Sequence, residues 1–186
     1  MVIYALFIGL IGLERLFELW LSRRNARALF ALGAVEAGGE QLKWMSLMHG
    51  AFLVSCVLEA WLLRRFFPGA LGYLALGAAA LAQGLRYWAV ATLGPRWNVR
   101  VIVVPNQPPI TNGPYRFVRH PNYLAVVIEV LAVPLVHGAW LTALSFSLLN
   151  ALVLRARIRL EERALGPSYQ AAFACLPRFL PGARDA

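Results

Sequence analysis

Apolar runs long enough to cross a bilayer recur along this chain, and most stop at arginine pairs or Gly-Pro steps. A helix needs roughly 20 mostly apolar residues to span a hydrocarbon core about 30 Å thick. Five segments answer to that description: Val2 to Leu21, Lys43 to Leu63, Ala70 to Leu93, Pro121 to about His137, and Trp140 to about Leu165. Only 15% of the 186 residues are charged and 60% are hydrophobic, whereas soluble domains carry about a quarter charged. The fold expected is therefore all-α: a polytopic membrane protein with about five transmembrane helices. The start of the chain lacks the basic region and small-residue cleavage site of a signal peptide, so it reads as a retained span.

The net charge of +9 comes almost wholly from arginine, Lys43 being the exception. A basic balance can mean nucleic acid, but here the cations cluster at the ends of apolar runs, as in membrane proteins. No nucleic-acid partner is expected. Fourteen basic residues, Arg184 among them, fall on one side of the five-span arrangement and two, Arg64 and Arg65, on the other. The positive-inside tendency then predicts an outside N-terminus and a cytoplasmic C-terminus, in a bacterial inner membrane. Cys56 and Cys175 have no pairing pattern and are expected reduced, and three His without a Cys cluster point to no metal site.

Residues 1–93 read as a three-helix membrane part. Residues 94–186 read as a loop, a helical hairpin and a cytoplasmic tail, the two parts forming one integrated domain. Glu14 and Glu18 lie four apart on the first helix and so share a face, which should look inward. The link Arg24 to Gln41 is polar, and the third span is rich in Gly and Ala, which permits close packing. Trp97 to Arg119 is a long Pro-rich connection with a short extended run of valines, and long loops of this kind are often functional. Helices four and five are joined almost without a loop, predicting a tight hairpin. The last turns of helix five are charged and should project past the membrane.

Two segments carry candidate chemistry. In Gly113-Pro114-Tyr115-Arg116-Phe117-Val118-Arg119-His120-Pro121-Asn122-Tyr123, Pro121 suits a first helical position and makes His120 the N-cap, with an extended backbone. The segment is either an imidazole set at a helix N-terminus or a plain interfacial helix start with aromatic belt residues. In helix five, Asn150, Leu154, Arg157 and Glu161 share one face, while Arg155, Arg159 and Glu162 share another; alone, this reads as a solvated helix end. Brought together, the two segments offer a His, two Tyr, carboxylates and several Arg beside an apolar wall. S-adenosylmethionine has a sulfonium and an amine for aromatic faces and carboxylates, and a carboxylate for Arg or a helix N-terminus.

Gly-Pro-Tyr followed by Arg-His-Pro-x-Tyr, a hairpin, Arg-x-x-x-Glu-Glu-x-x-Leu and a Pro-Arg-Phe-Leu-Pro tail resembles the isoprenylcysteine carboxyl methyltransferase family, over roughly Leu93 to Pro181. The resemblance implies S-adenosylmethionine bound in a cytoplasmic pocket of the C-terminal half and a lipophilic small-molecule acceptor arriving from the bilayer lipids. It assigns Tyr115, His120, Pro121, Asn122, Tyr123 and Glu161 to the cofactor, Gln107 and Ile110 from the loop as well, and Arg157 to the acceptor. Ala125 stands where many members have Gly. Asn122 to Glu129, with Trp97 to Arg100 and Val104-Pro105, is similar to a bacterial branch. Some members of that branch O-methylate alkylresorcinols or alkylpyrones made by type III polyketide synthases. The expected activity is O-methylation of such a phenolic or pyrone lipid, with prenylcysteine carboxyl methylation as the alternative. Arg157 would hold the acceptor oxygen as its anion. Glu129 is either a catalytic base or an inward partner for Arg86 or Gln83, and His120 is a second candidate base. Two readings from other classes are an NADPH-dependent membrane reductase with a similar Arg-His-Pro-Asn-Tyr segment and a non-catalytic membrane subunit.

Overall fold

A computed structural model of the protein describes residues 1–179. Leu180 and Pro181 of the tail motif, and Arg184 of the basic count, lie outside the described residues. Helices dominate: α1 (Val2–Ala31), α2 (Gln41–Leu62), α3 (Ala70–Leu93), α4 (Pro121–Leu135) and α5 (Trp140–Ala172). Strands β1 (Val35–Ala37) and β2 (Val101–Val103) pair antiparallel with Val35 opposite Val103.

Three local expectations need correction. The polar link after Leu21 is helical: α1 runs on through Arg23, Arg24 and Arg27 to Ala31. Arg, Ala and Leu are good helix formers and no Gly or Pro interrupts them before Gly33, whose φ of +79° ends the helix. The fifth helix does not stop at Leu165. It continues to Ala172 across a kink at Gly166, whose φ of 73° and ψ of −165° suit only glycine. A small sheet accompanies the helices because the valine run of β2 finds Val35-Glu36-Ala37, a strand too short to show a period.

The core joins four helices. Tyr4 and Ile8 of α1, Phe52 and Cys56 of α2, Ala75 and Ala79 of α3, and Val126, Val130 and Val133 of α4 form one buried cluster. The buried face of α3 is Gly72, Ala75, Ala79, Ala82, Arg86 and Ala89, and its small side chains let α4 pack close. Glu59 of α2 sits at the start of α5. Its carboxylate accepts hydrogen bonds from the Thr142 amide at 2.6 Å and the Thr142 hydroxyl at 2.7 Å, supplying the cap that α5 lacks from its own side chains.

Polarity is arranged inside out. Leu6, Leu10, Leu13 and Phe17 of α1, Leu74 and Leu81 of α3, and Leu144, Leu148 and Leu152 of α5 are exposed. Ions lie inside instead. Arg86 grips Glu18 through Nε at 2.5 Å and Nη2 at 2.6 Å, and Arg15 reaches Glu18 at 2.7 Å and Glu129 at 3.2 Å. Gln83 donates to Glu14. Helices that expose leucine and bury ion pairs have lipid outside and protein inside. By length and composition α2 and α5 each suffice to cross a membrane, and α4 is a shorter apolar helix.

Candidate active site

A cavity of about 890 Å³ lies between the loop before α4 and the helices, drawing side chains from Gly12 to Phe173. Sites for small ligands run from roughly 300 to 1,000 Å³, so this volume suits a cofactor together with part of a second molecule. The loop from Arg96 to Ile110 forms one wall, fixed by Arg96 donating to the Pro108 carbonyl at 2.6 Å and Asn98 to the Ser22 carbonyl at 2.9 Å.

The start of α4 is built as its sequence dictates. Pro121 is the first helical residue and His120 the N-cap, although its ψ of 61° falls short of extended. The helix closes its first bond from Leu124 N to the His120 carbonyl, leaving the amides of Asn122 and Tyr123 ahead of the intrahelical ladder. The His120 ring does not cap this helix. Its Nε2 lies 3.1 Å from Glu162, and its face stacks on Tyr123 at 5.3 Å. Glu162 is also held by Arg178 of the tail at 2.7 Å, while the backbone of Arg119 and His120 bonds to the carbonyls of Pro177 and Arg178. The tail is thereby latched across the helix start. Burial alone would raise the Glu162 carboxyl pKa, but hydrogen bonds from His120 and Arg178 outweigh it and hold the group at about 2.

On the facing side of α5, Arg157 is 3% exposed. Its Nε donates to the Tyr123 hydroxyl at 3.1 Å and one amino group to the Val99 carbonyl at 2.5 Å. The Tyr123 hydroxyl in turn donates to Glu161. Arg157, Tyr123 and Glu161 thus form a relay along the cavity wall. Tyr115, Tyr169 and Phe173 pack together at the outer end. Burial first, then the nearby Glu161, raises the pKa of Tyr115, and burial, Glu161 and Glu162 raise that of Tyr169; both phenols stay protonated.

Of the residues expected at the site, Tyr115, Asn122, Tyr123, Arg157, Glu161, Gln107 and Ile110 border this cavity. His120 and Pro121 stand behind it, buried, and orient the segment. Glu129 is elsewhere: it borders a neighbouring cavity of about 290 Å³ with Glu14 and Gln83, which shares Arg15, His49 and Leu53 with the first, and it pairs with Arg15 at 3.2 Å and Arg86 at 3.6 Å. Its geometry is that of the inward ion partner. Arg178 and Asn98 fall in motifs the sequence shows, but a motif does not give their contacts, the tail latch to Glu162 and the loop anchor to Ser22; Ser22, Tyr169 and His49 lie at no spacing that a motif or period would mark.

These residues fit S-adenosylmethionine. Glu161 offers a carboxylate to an amine, Tyr115 and Tyr123 offer aromatic surface to a sulfonium, and the α4 N-terminus offers free amides to a carboxylate. The buried Oδ1 of Asn122 has no hydrogen-bond partner among the described residues, so a ligand donor has an acceptor waiting.

Comparison with known proteins adds an independent line. The model of the isoprenylcysteine carboxyl methyltransferase (ICMT) family matches residues 74–167. The uncharacterized protein YpbQ of Bacillus subtilis is 34% identical over 163 residues, covering 87% of this chain and 96% of that one. An uncharacterized Haemophilus influenzae protein is 28% identical over 152 residues, with 81% and 88% covered. A protein-S-isoprenylcysteine O-methyltransferase of Schizosaccharomyces pombe is 25% identical, with 94% of this chain and 82% of that one covered. Among solved structures, the eukaryotic intramembrane Ras methyltransferase ICMT matches with a TM-score of 0.57 at 20% identity over 75% of this chain. This chain spans about half of that one, 53%, and the likeness is one of fold.

Proposed function

The chain belongs to the isoprenylcysteine carboxyl methyltransferase family, and on that premise we propose that it moves a methyl group from S-adenosylmethionine to an oxygen of a lipophilic acceptor. It is an integral membrane methyltransferase, and enzymes of this family use S-adenosylmethionine. One observation carries the finer reading: a single cavity joins the Glu161–Tyr123–Tyr115 end to the interior between α1 and α2, where Gly12, Leu16 and Leu53 line it. A cofactor and a lipid head can therefore meet without either leaving its own medium.

When bound, the cofactor supplies an electrophilic methyl group. Glu161 accepts hydrogen bonds from its amino group, and Tyr123 holds that carboxylate in place. Tyr115 and Tyr169 close the outer end against water. Arg157, pinned by Tyr123 and Val99, sets its cation in the cavity wall and favours the anionic form of the acceptor oxygen, since a nearby cation lowers a hydroxyl pKa. Glu129 serves the buried ion network. The chain crosses a bacterial inner membrane five times, with the Glu161 end and the C-terminus cytoplasmic, and 1–93 and 94–186 act as one domain.

The acceptor we favour is a phenolic or pyrone lipid such as an alkylresorcinol. The S. pombe relative's name, on a match covering most of both chains, favours a prenylated cysteine instead. Labelled cofactor incubated with both acceptors and the purified chain separates them by mass spectrometry. The expected outcome is faster methylation of the resorcinol, abolished in Arg157→Ala while cofactor binding persists. Methylation of the prenylcysteine alone would reverse the choice of acceptor, and full activity in Arg157→Ala would remove Arg157 from it.

A further inference from the structure

We infer that the inner end of the cavity is a head-group subsite for a hydroxyl-bearing acceptor, in which His49 takes the hydroxyl proton and Asn150 receives a second hydrogen bond. The inference rests on the methyl-transfer reading above and deepens it.

Helices α2 and α5 run side by side in opposite directions. The Thr142 hydroxyl donates to the Ser55 carbonyl at 3.3 Å, and one turn on, Phe52 meets Phe146 with ring centroids 5.6 Å apart. The next turn brings His49 level with Asn150, and both border the cavity. Asn150 is 2% exposed, and its Oδ1 has no hydrogen-bond partner among the described residues. Such a group is costly to bury unless a ligand supplies the donor. The Nδ1 of His49 lies 2.8 Å from the Met45 carbonyl, which can only accept. In the neutral ring that nitrogen carries the proton, so Nε2 keeps its lone pair.

Two acceptors on facing helices ask for a ligand that brings O–H or N–H groups. A carboxylate anion brings none. A neutral ring with two hydroxyls satisfies both acceptors. One hydroxyl proton passes to Nε2 of His49, and the electron pair stays on oxygen. That pair forms the O–CH3 bond as the S–CH3 bond breaks and the sulfonium leaves as a neutral thioether. The imidazolium then returns its proton to water. The two bases considered from sequence are both placed less well: His120 is bound to Glu162 behind the cavity, and Glu129 is held by Arg15 and Arg86 and does not border it.

The test uses detergent-purified full-length chain, wild type, His49→Gln and Asn150→Leu. Stabilisation by S-adenosylmethionine reports an intact fold; the variants lie on different helices, so either one carries the test if the other fails to fold. Without cofactor, binding of an alkylresorcinol read by tryptophan fluorescence should weaken about tenfold in each variant. With cofactor, His49→Gln should slow methylation of the resorcinol about 100-fold or more. The loss should shrink for a ring-fluorinated resorcinol, whose hydroxyl ionises more readily without a base. Unchanged binding in both variants, or an equal rate loss with both resorcinols, overturns the subsite. Wild-type turnover of a prenylated cysteine but of neither resorcinol removes the phenolic reading itself, and this subsite with it.

Discussion

Single residues here divide by what each carboxylate faces. Glu161 and Glu162 are neighbours in sequence, yet one borders the cavity and the other ties the tail to His120. Glu162→Gln should therefore loosen the tail while Glu161→Ala should not. The depressed Glu162 carboxyl makes this pH-dependent. Its contribution to stability is complete above the ordinary value of 4.5 and is lost as the pH falls toward the folded value of about 2. Melting temperatures taken from pH 6 to pH 3 should fall in the wild type and fall less in Glu162→Gln; parallel curves would deny the latch. The pair was legible from sequence because Arg157 and Glu161 share a helix face. The partner of Glu162 was not, since Arg178 comes from a tail whose path no periodicity records.

The helices show why some bounds could be read and others not. Gly-Pro steps and Pro121 mark the ends of α3 and the start of α4 on physical grounds, and the structure keeps both. Charge marks no helix end, which is why α1 continues past its arginines. Before α4, Gly113 has a φ of +56°, and a Cβ there would stand 2.4 Å from the Thr92 hydroxyl oxygen. That contact seats the Gly-Pro-Tyr turn on α3 and so sets Tyr115 in the cavity wall. Gly113→Val should cost roughly 1–3 kcal/mol from backbone strain and overpacking, measured by denaturant unfolding in detergent, and should weaken cofactor binding. A variant as stable and as tight as wild type would contradict that role. Within the bundle, removing Arg86 leaves Glu18 and Glu129 buried with Arg15 in place of two shared cations. Arg86→Leu should cost about 3–5 kcal/mol, and Arg86→Leu with Glu18→Leu should recover part of it; a double variant worse than the single would refute the pairing.

The whole molecule is a membrane bundle built around a deep cavity, and its class was readable because lipid leaves a coarse signal: long apolar runs and cations at their ends. The ion network in the interior was foreshadowed by Glu14 and Glu18 sharing a face and by Glu129 as an inward partner for Arg86, and β2 by its valine run, but the pairing of β2 with β1 was not, since it joins segments far apart in the chain. A reporter fused after the last residue should read cytoplasmic, following the uneven distribution of arginine; a periplasmic reading would move the Glu161 end of the cavity to the other side. The claim on which the rest depends is that this cavity holds S-adenosylmethionine against Glu161. Calorimetric titration of the detergent-purified chain tests it most directly. Saturable binding is expected, weakened by roughly 1.5–3 kcal/mol in Glu161→Ala and much less in Glu162→Ala. No binding of S-adenosylmethionine, or binding indifferent to Glu161, would contradict it.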